Sequence, residues 1–174
     1  MQDRTTPSQT ETIMTQVVQP NDTNPLGTLH GGKLLFWMDE CSAIAATKMS
    51  RAVVVTVSVD GVSFRNAIDL GDIVSIKAKV TRTFKTSMEV FIEVWSDNIV
   101  KNEKIKCNEA YYTFVALDEH RNPKAVPEIF PETEEEKRLY EGAIRRRQLR
   151  LILGGKMRVE DASELRALFL KDDS

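Results

Sequence analysis

The chain is poor in the residues that most often announce chemistry. It has two cysteines and two histidines in 174 residues. Cys41 and Cys107 both lie in apolar context and form no C-x-x-C pair. Buried free thiols are therefore expected, in keeping with a reducing compartment. His30 and His120 stand apart, without zinc or iron ligand spacing, so no metal is expected. No G-x-S-x-G and no Cys/His nucleophile motif occurs. What remains is metal-free chemistry resting on a carboxylate. An excess of either charge is also lacking: the formal net charge is -2, so nothing global attracts nucleic acid or an acidic membrane. No apolar run approaches transmembrane length, and the opening MQDRTTPSQTET lacks the apolar core of a secretory signal. A cytoplasmic protein without membrane insertion is expected. There is no internal repeat and no low-complexity segment.

What is present is an ordinary globular balance, 41% hydrophobic and 29% charged, long enough for one domain plus a tail. Ile13 to Val18 reads as a first strand. Gln19-Pro20-Asn21-Asp22-Thr23-Asn24-Pro25-Leu26-Gly27 is dense in turn formers, and Pro25 biases Asn24 toward an extended conformation. From Gly31 or Gly32 to about Met49 the period becomes helical, with Leu34, Met38, Cys41 and Ala45 at three- and four-residue spacing. Leu34 to Met38 are consecutive apolar residues, so this helix is expected to be buried on most sides.

Strands follow. Ala52 to Val59 is β-branched and nearly continuous, as expected of a central strand. Ile73 to Arg82 and Ser87 to Ser96 alternate, and Cys107 to Leu117 is long and aromatic-rich. Short links between them imply antiparallel neighbours. The order predicts an α+β domain, an antiparallel sheet wrapped around one long buried helix. One sheet covers one side of a helix, so the remaining apolar surface calls for a partner subunit. Residues 132–150 read as a second helix, opened by a Thr133/Glu136 capping box and closed by arginines. A last short helix is expected from Ser163 to Leu170, capped by Asp161 or Ser163. The domain is placed at residues 11–130, with a helical extension at 131–174.

Three places carry candidate chemistry. Gly27-Thr28-Leu29-His30-Gly31-Gly32-Lys33 fits G-x-x-x-x-G-K, but Leu34 stands where a phosphate loop needs Ser or Thr, and no strand precedes it. What survives is a glycine-rich helix start. There the amides of Gly31 and Gly32 could polarise a carbonyl oxygen, unless the glycines serve only a tight turn. Asp39, beside Glu40, is a carboxylate in the most hydrophobic helix. Such a group is costly to bury unless it is paired or functional; the alternative is a polar stripe with Ser42 facing water. Arg82-Thr83-Phe84-Lys85-Thr86-Ser87 puts two cations and hydroxyls in a hairpin, able to hold phosphates or to serve as a solvated edge.

Asn24-Pro25-Leu26-Gly27-Thr28-Leu29-His30-Gly31-Gly32 followed by Trp37-Met38-Asp39-Glu40 resembles the acyl-CoA hydrolase family that includes YciA and the cytosolic long-chain (brain-type) acyl-CoA thioesterases. Val57-Ser58-Val59-Asp60, Phe64, Gly71-Asp72 and Thr86-Ser87-Met88-Glu89-Val90 continue the match in order, over roughly residues 12–125. The resemblance implies a hotdog fold, a dimer as the minimal active unit and commonly a hexamer built as a trimer of dimers. It implies hydrolysis of fatty acyl-CoA to fatty acid and coenzyme A, with no cofactor. Asn24 and Asp39 would be the catalytic pair, contributed to one site by two subunits. Coenzyme A would lie along the dimer interface, with His30, Phe64, Arg82, Lys85, Thr86 and Ser87 as its candidate contacts. Two departures stand out: Ala67 where the family usually has Pro, and Phe84-Lys85 in place of a common Gly-containing turn. Rival readings are an acyl-CoA hydratase or dehydratase on the same fold, using His30, and a non-catalytic acyl-CoA sensor.

Overall fold

The computed structural model describes residues 4–169. The chain divides into two compact units, one ending at Phe130 and the other beginning at Pro131. The first unit holds β1 (Thr12–Val17), α1 (Gly31–Ser50), β2 (Val53–Asp60), β3 (Ile73–Thr83), β4 (Ser87–Asn98) and β5 (Glu103–Leu117). The strands form one antiparallel sheet in the order β1-β3-β4-β5-β2. Alternation sets the inner face. Val74, Ile76, Ala78 and Val80 of β3 and Met88, Val90, Ile92 and Val94 of β4 have no exposed surface. Against them lies α1, 20 residues and about 30 Å long. Met38, Cys41, Ala45 and Ala46 on its inner side are likewise fully buried.

The sheet order corrects one expectation. The Val53–Val59 run reads as a central strand, yet β2 is an edge strand, paired among the described residues only with β5. Val53, Val55, Val57 and Val59 are all more than one-third exposed. An edge strand normally alternates or carries charge to blunt its unpaired backbone. β2 does neither along its valines, so its composition is that of a covered strand, although Val53, Val55, Val57 and Val59 stay exposed in this single chain. β5 is also longer than expected, beginning at Glu103 rather than Cys107.

In the second unit, α2 (Glu134–Leu153) opens with the expected capping box: Glu136 N–H donates to Thr133 Oγ1, and Thr133 N–H donates to Glu136 Oε2. The last helix, α3 (Ser163–Arg166), is shorter than expected, and Leu170 lies outside the described residues. Its N-cap is Ala162, with no side-chain cap, so neither Asp161 nor Ser163 caps it. Its helix-start amide is met instead by Gln148 of α2, whose Oε1 accepts from Leu165 N–H at 2.8 Å. Among the described residues, no helix is long and apolar enough to cross a membrane.

Candidate active site

Asn24 sits in a loop that its own side chain organises. Its Oδ1 accepts from the backbone N–H of Leu26 at 2.9 Å and of Thr28 at 3.3 Å, and its Nδ2 donates to Thr28 Oγ1 at 2.9 Å. This is an Asx turn, closed by Gly27 N–H donating to Asn24 O at 3.0 Å. Gly27 has φ 76, a conformation that glycine adopts without Cβ strain. Two backbone donors fix which end of the amide is oxygen. The group left for a ligand is the second Nδ2 hydrogen, so Asn24 can offer a hydrogen-bond donor.

The loop feeds directly into α1. His30 is the N-cap, and its Nδ1 accepts from Gly32 N–H at 3.1 Å. The Gly32 amide is therefore already engaged. The Gly31 amide forms no hydrogen bond among the described residues. Of the two candidate polarising amides, Gly31 is the one open to a carbonyl oxygen, at the positive end of the helix dipole. The Phe64 ring lies over Gly31: a Cβ there would meet Phe64 Cζ at 3.3 Å. Asn24, Thr28, Gly31, Leu34, Phe64 and Ile68 line a cavity of about 340 Å³. A larger, open groove of about 490 Å³ passes Ala52, Val53, Leu117 and Lys124 and contains none of the candidate residues.

Asp39 lies two turns further along α1. It is half-buried rather than buried, and Glu40 beside it is exposed. The carboxylate is held: Thr56 Oγ1 donates to Asp39 Oδ1 at 2.6 Å, which leaves Oδ2 for a ligand. Tyr112 packs beneath, and its hydroxyl donates to Leu35 O at 3.4 Å. Burial, and then the negative charge of Asp39, push the Tyr112 phenol well above its ordinary range, so it stays protonated. Thr56 escapes the sequence reading because Thr is an ordinary strand former. Its only signal is a hydroxyl in a run of valines.

The hairpin residues fall elsewhere. Phe84 N–H donates to Ser87 O at 2.8 Å, closing the β3–β4 turn, and Ser87 pairs with Val115 of β5. The Phe64 loop is tied to the other end of β5, through Arg65 N–H to Cys107 O. Eight residues of strand separate the two, about 26 Å. Arg82 lies over the Phe84 ring, 5.9 Å from its centroid, and Lys85 is exposed. Within one chain, then, Asn24, His30, Gly31, Gly32 and Phe64 come together, Asp39 stands apart with Thr56, and Arg82, Lys85, Thr86 and Ser87 lie at the opposite end. Burial pushes the Cys41 thiol up to about 11 and also raises Cys107, which disfavours the reactive thiolate of both. Among the described residues no cluster of three His, Cys, Asp or Glu could hold a metal ion.

A five-stranded antiparallel sheet wrapped on one long helix, with a glycine-rich helix start, defines the hotdog class. Residues 26–102 match the model of the thioesterase superfamily. The chain is 38% identical to an uncharacterized acyl-CoA thioester hydrolase, YkhA, of Bacillus subtilis, over 79% of this chain and 80% of that protein. Its structure is similar to that of a hexameric acyl-CoA thioesterase, at 43% identity and TM-score 0.83, covering 86% of this chain and 96% of the other. It is also similar to the acyl-CoA hydrolase of Staphylococcus aureus, seen with butyryl coenzyme A and coenzyme A, at 36% identity and TM-score 0.80, over 88% and 95%. Structures of that enzyme include alanine variants of an asparagine, an aspartate and a threonine, spaced 15 and 17 residues apart. The chain belongs to the acyl-CoA thioester hydrolase family of the thioesterase superfamily.

Proposed function

We propose that this protein hydrolyses acyl-CoA thioesters to fatty acid and coenzyme A, at a site completed by a second copy of the chain. The observation that carries the reading is Asp39, oriented by Thr56 with one carboxylate oxygen free, on the helix whose start presents the open Gly31 amide. Asn24, Asp39 and Thr56 are spaced as the three substituted residues of the S. aureus enzyme are, which supports giving all three a role.

The chemistry follows from these groups. Gly31 N–H and the spare Nδ2 hydrogen of Asn24 polarise the thioester carbonyl and stabilise the oxyanion. Asp39 Oδ2 takes a proton from water as the hydroxide adds to the carbonyl carbon; alternatively the carboxylate adds directly, giving an anhydride that water then opens. In either route the C–S bond breaks as the tetrahedral adduct collapses, and the thiolate leaves and is protonated. No further cofactor is required by these steps.

Spacing argues for two chains. Gly31 and Asp39 are eight residues apart on one helix, about 12 Å along its axis. A base and a polarising donor that serve one carbonyl both lie within roughly 3.5 Å of the reacting atoms. A two-fold pairing through the valine-rich face and edge of β2 would bring one chain's Asp39 toward its partner's helix start. It would also bring the β3–β4 hairpin toward the partner's cavity, making Arg82 and Lys85 candidate contacts for the coenzyme A phosphates. The named neighbours that are hexameric support assembly beyond the dimer. A cytoplasmic location goes with two cysteines that are both free and buried.

A panel from acetyl- to stearoyl-CoA, with thiol release followed, tests the activity. Turnover of at least one member is expected, and none across the panel would refute the enzyme in favour of an acyl-CoA sensor. Reversing Arg82 and Lys85 together to Glu is expected to raise KM for the best substrate roughly tenfold or more with little change in kcat, the pattern of lost uniform binding. An unchanged KM would make the hairpin a solvated edge.

A further inference from the structure

Asp72 is a buried carboxylate to which the proposed reaction gives no part. It stands at the start of β3, next to Gly71, and is only 6% exposed. Its Oδ2 accepts from Ser96 Oγ at 2.7 Å and from Asp69 N–H at 3.2 Å, and its Oδ1 accepts from Asn98 Nδ2 at 2.7 Å. It forms no ion pair among the described residues. A buried carboxylate met only by neutral donors is an expensive way to close a turn.

What it holds can be followed bond by bond. Asp72 N–H donates to Asp69 O at 3.1 Å, closing a turn through Gly71, whose φ is 87. Ser96 and Asn98, both on β4, fix that turn against the central sheet. The residues leading into the turn grip the Asn24 loop. Leu29 N–H donates to Ile68 O at 2.7 Å, and Leu70 N–H donates to Gly27 O at 3.2 Å. Thr28, between Gly27 and Leu29, supplies both the hydroxyl that accepts from Asn24 Nδ2 and the carbonyl that accepts from Asn24 N–H at 2.8 Å. The turn also clasps the strand end before that loop, through Val18 N–H to Asp72 O and Gly71 N–H to Val18 O, both at 3.0 Å. The loop that aims Asn24 is thus pinned on both sides to a turn whose anchor in the sheet is the Asp72 carboxylate.

We propose that Asp72 is a positioning residue for catalysis: through Ser96 and Asn98 it fixes the 69–72 turn, and through that turn it sets the Asn24 amide against the thioester carbonyl. The proposal rests on the donor role given to Asn24 above. In Asp72→Asn one acceptor becomes an NH2 group facing donors, so at least one of the three bonds to Ser96, Asn98 and Asp69 is lost or must be remade with donor and acceptor exchanged, while the volume is kept.

The test is a double-mutant cycle in the full-length enzyme, with the best substrate of the acyl-CoA panel. Asp72→Asn is expected to lower kcat by roughly 10- to 100-fold, as for a small misplacement of a catalytic group, with KM within about threefold. In the Asn24→Ala background the same substitution is expected to change kcat by less than about threefold, because the group it positions is gone. A merely structural role would cost the same factor in both backgrounds. That result, or a folded Asp72→Asn enzyme with wild-type kcat, overturns the proposal. If Asp72→Asn does not fold, the cycle is run with Ser96→Ala, which removes one donor to the carboxylate. A kcat loss of about threefold or more that vanishes in the Asn24→Ala background supports the proposal, and no loss, or an equal loss in both backgrounds, overturns it. A wild-type kcat in Asn24→Ala alone would instead refute the role of Asn24.

Discussion

Asp39→Asn is expected to lower kcat by roughly 10²–10⁴, the range for removal of a general base, with KM changed little. The substitution keeps the side-chain volume and can keep the bond from Thr56, since the carboxamide oxygen still accepts from the hydroxyl that lies 2.6 Å away. What it removes is the basic and nucleophilic oxygen. The fold should survive, because Asp39 is half-buried and its replacement removes a charge rather than stranding one. Thr56→Val, which deletes only the orienting hydroxyl, is expected to cost less, about tenfold, as a lost positioning contact. Steady-state rates on the best acyl-CoA, with melting temperatures for each variant, check both. Near-normal turnover of pure Asp39→Asn would remove Asp39 from the mechanism.

The second large effect concerns where the halves of the site come from. Asn24→Ala is expected to cost roughly 10²–10³ in kcat, as for a lost polarising donor. When Asn24→Ala and Asp39→Asn chains are unfolded together and refolded, each mixed dimer has one site with both defects and one with neither. Random pairing makes about half of the dimers mixed, so activity should return to about a quarter of wild type, by the symmetry of a two-fold interface. The bond from Thr56 to Asp39 adds a control, since both residues are on the same chain. Thr56→Val should complement Asn24→Ala and should fail to complement Asp39→Asn. If refolded mixtures of Asn24→Ala and Asp39→Asn, confirmed by sizing to be dimers or larger, recover nothing, the site is not shared.

The sequence by itself determined the parts whose signals are local. Periodicity marked α1, because an apolar helix face repeats every three to four residues whatever it packs on. Alternation marked β3 and β4 for the same kind of reason. Thr133 and Glu136 marked the start of α2, since a capping box closes within one turn. Asp39 stood out because a charge in an apolar helix is conspicuous without any neighbour. The tertiary structure decided what depends on residues distant in the chain. Thr56 became a partner of Asp39 only when β2 lay beside α1, 17 residues later. The Val53–Val59 run carries burial but not sheet order, so a strand at the edge read as one at the centre. Gly31 and Gly32 look alike in sequence, and only the turn of the His30 ring onto Gly32 N–H separates them. Asp72 is the furthest case. Its meaning lies in hydrogen bonds to Ser96 and Asn98, 24 and 26 residues away. Long-range contacts of this kind leave no periodic trace, because chain order does not fix which side chains meet.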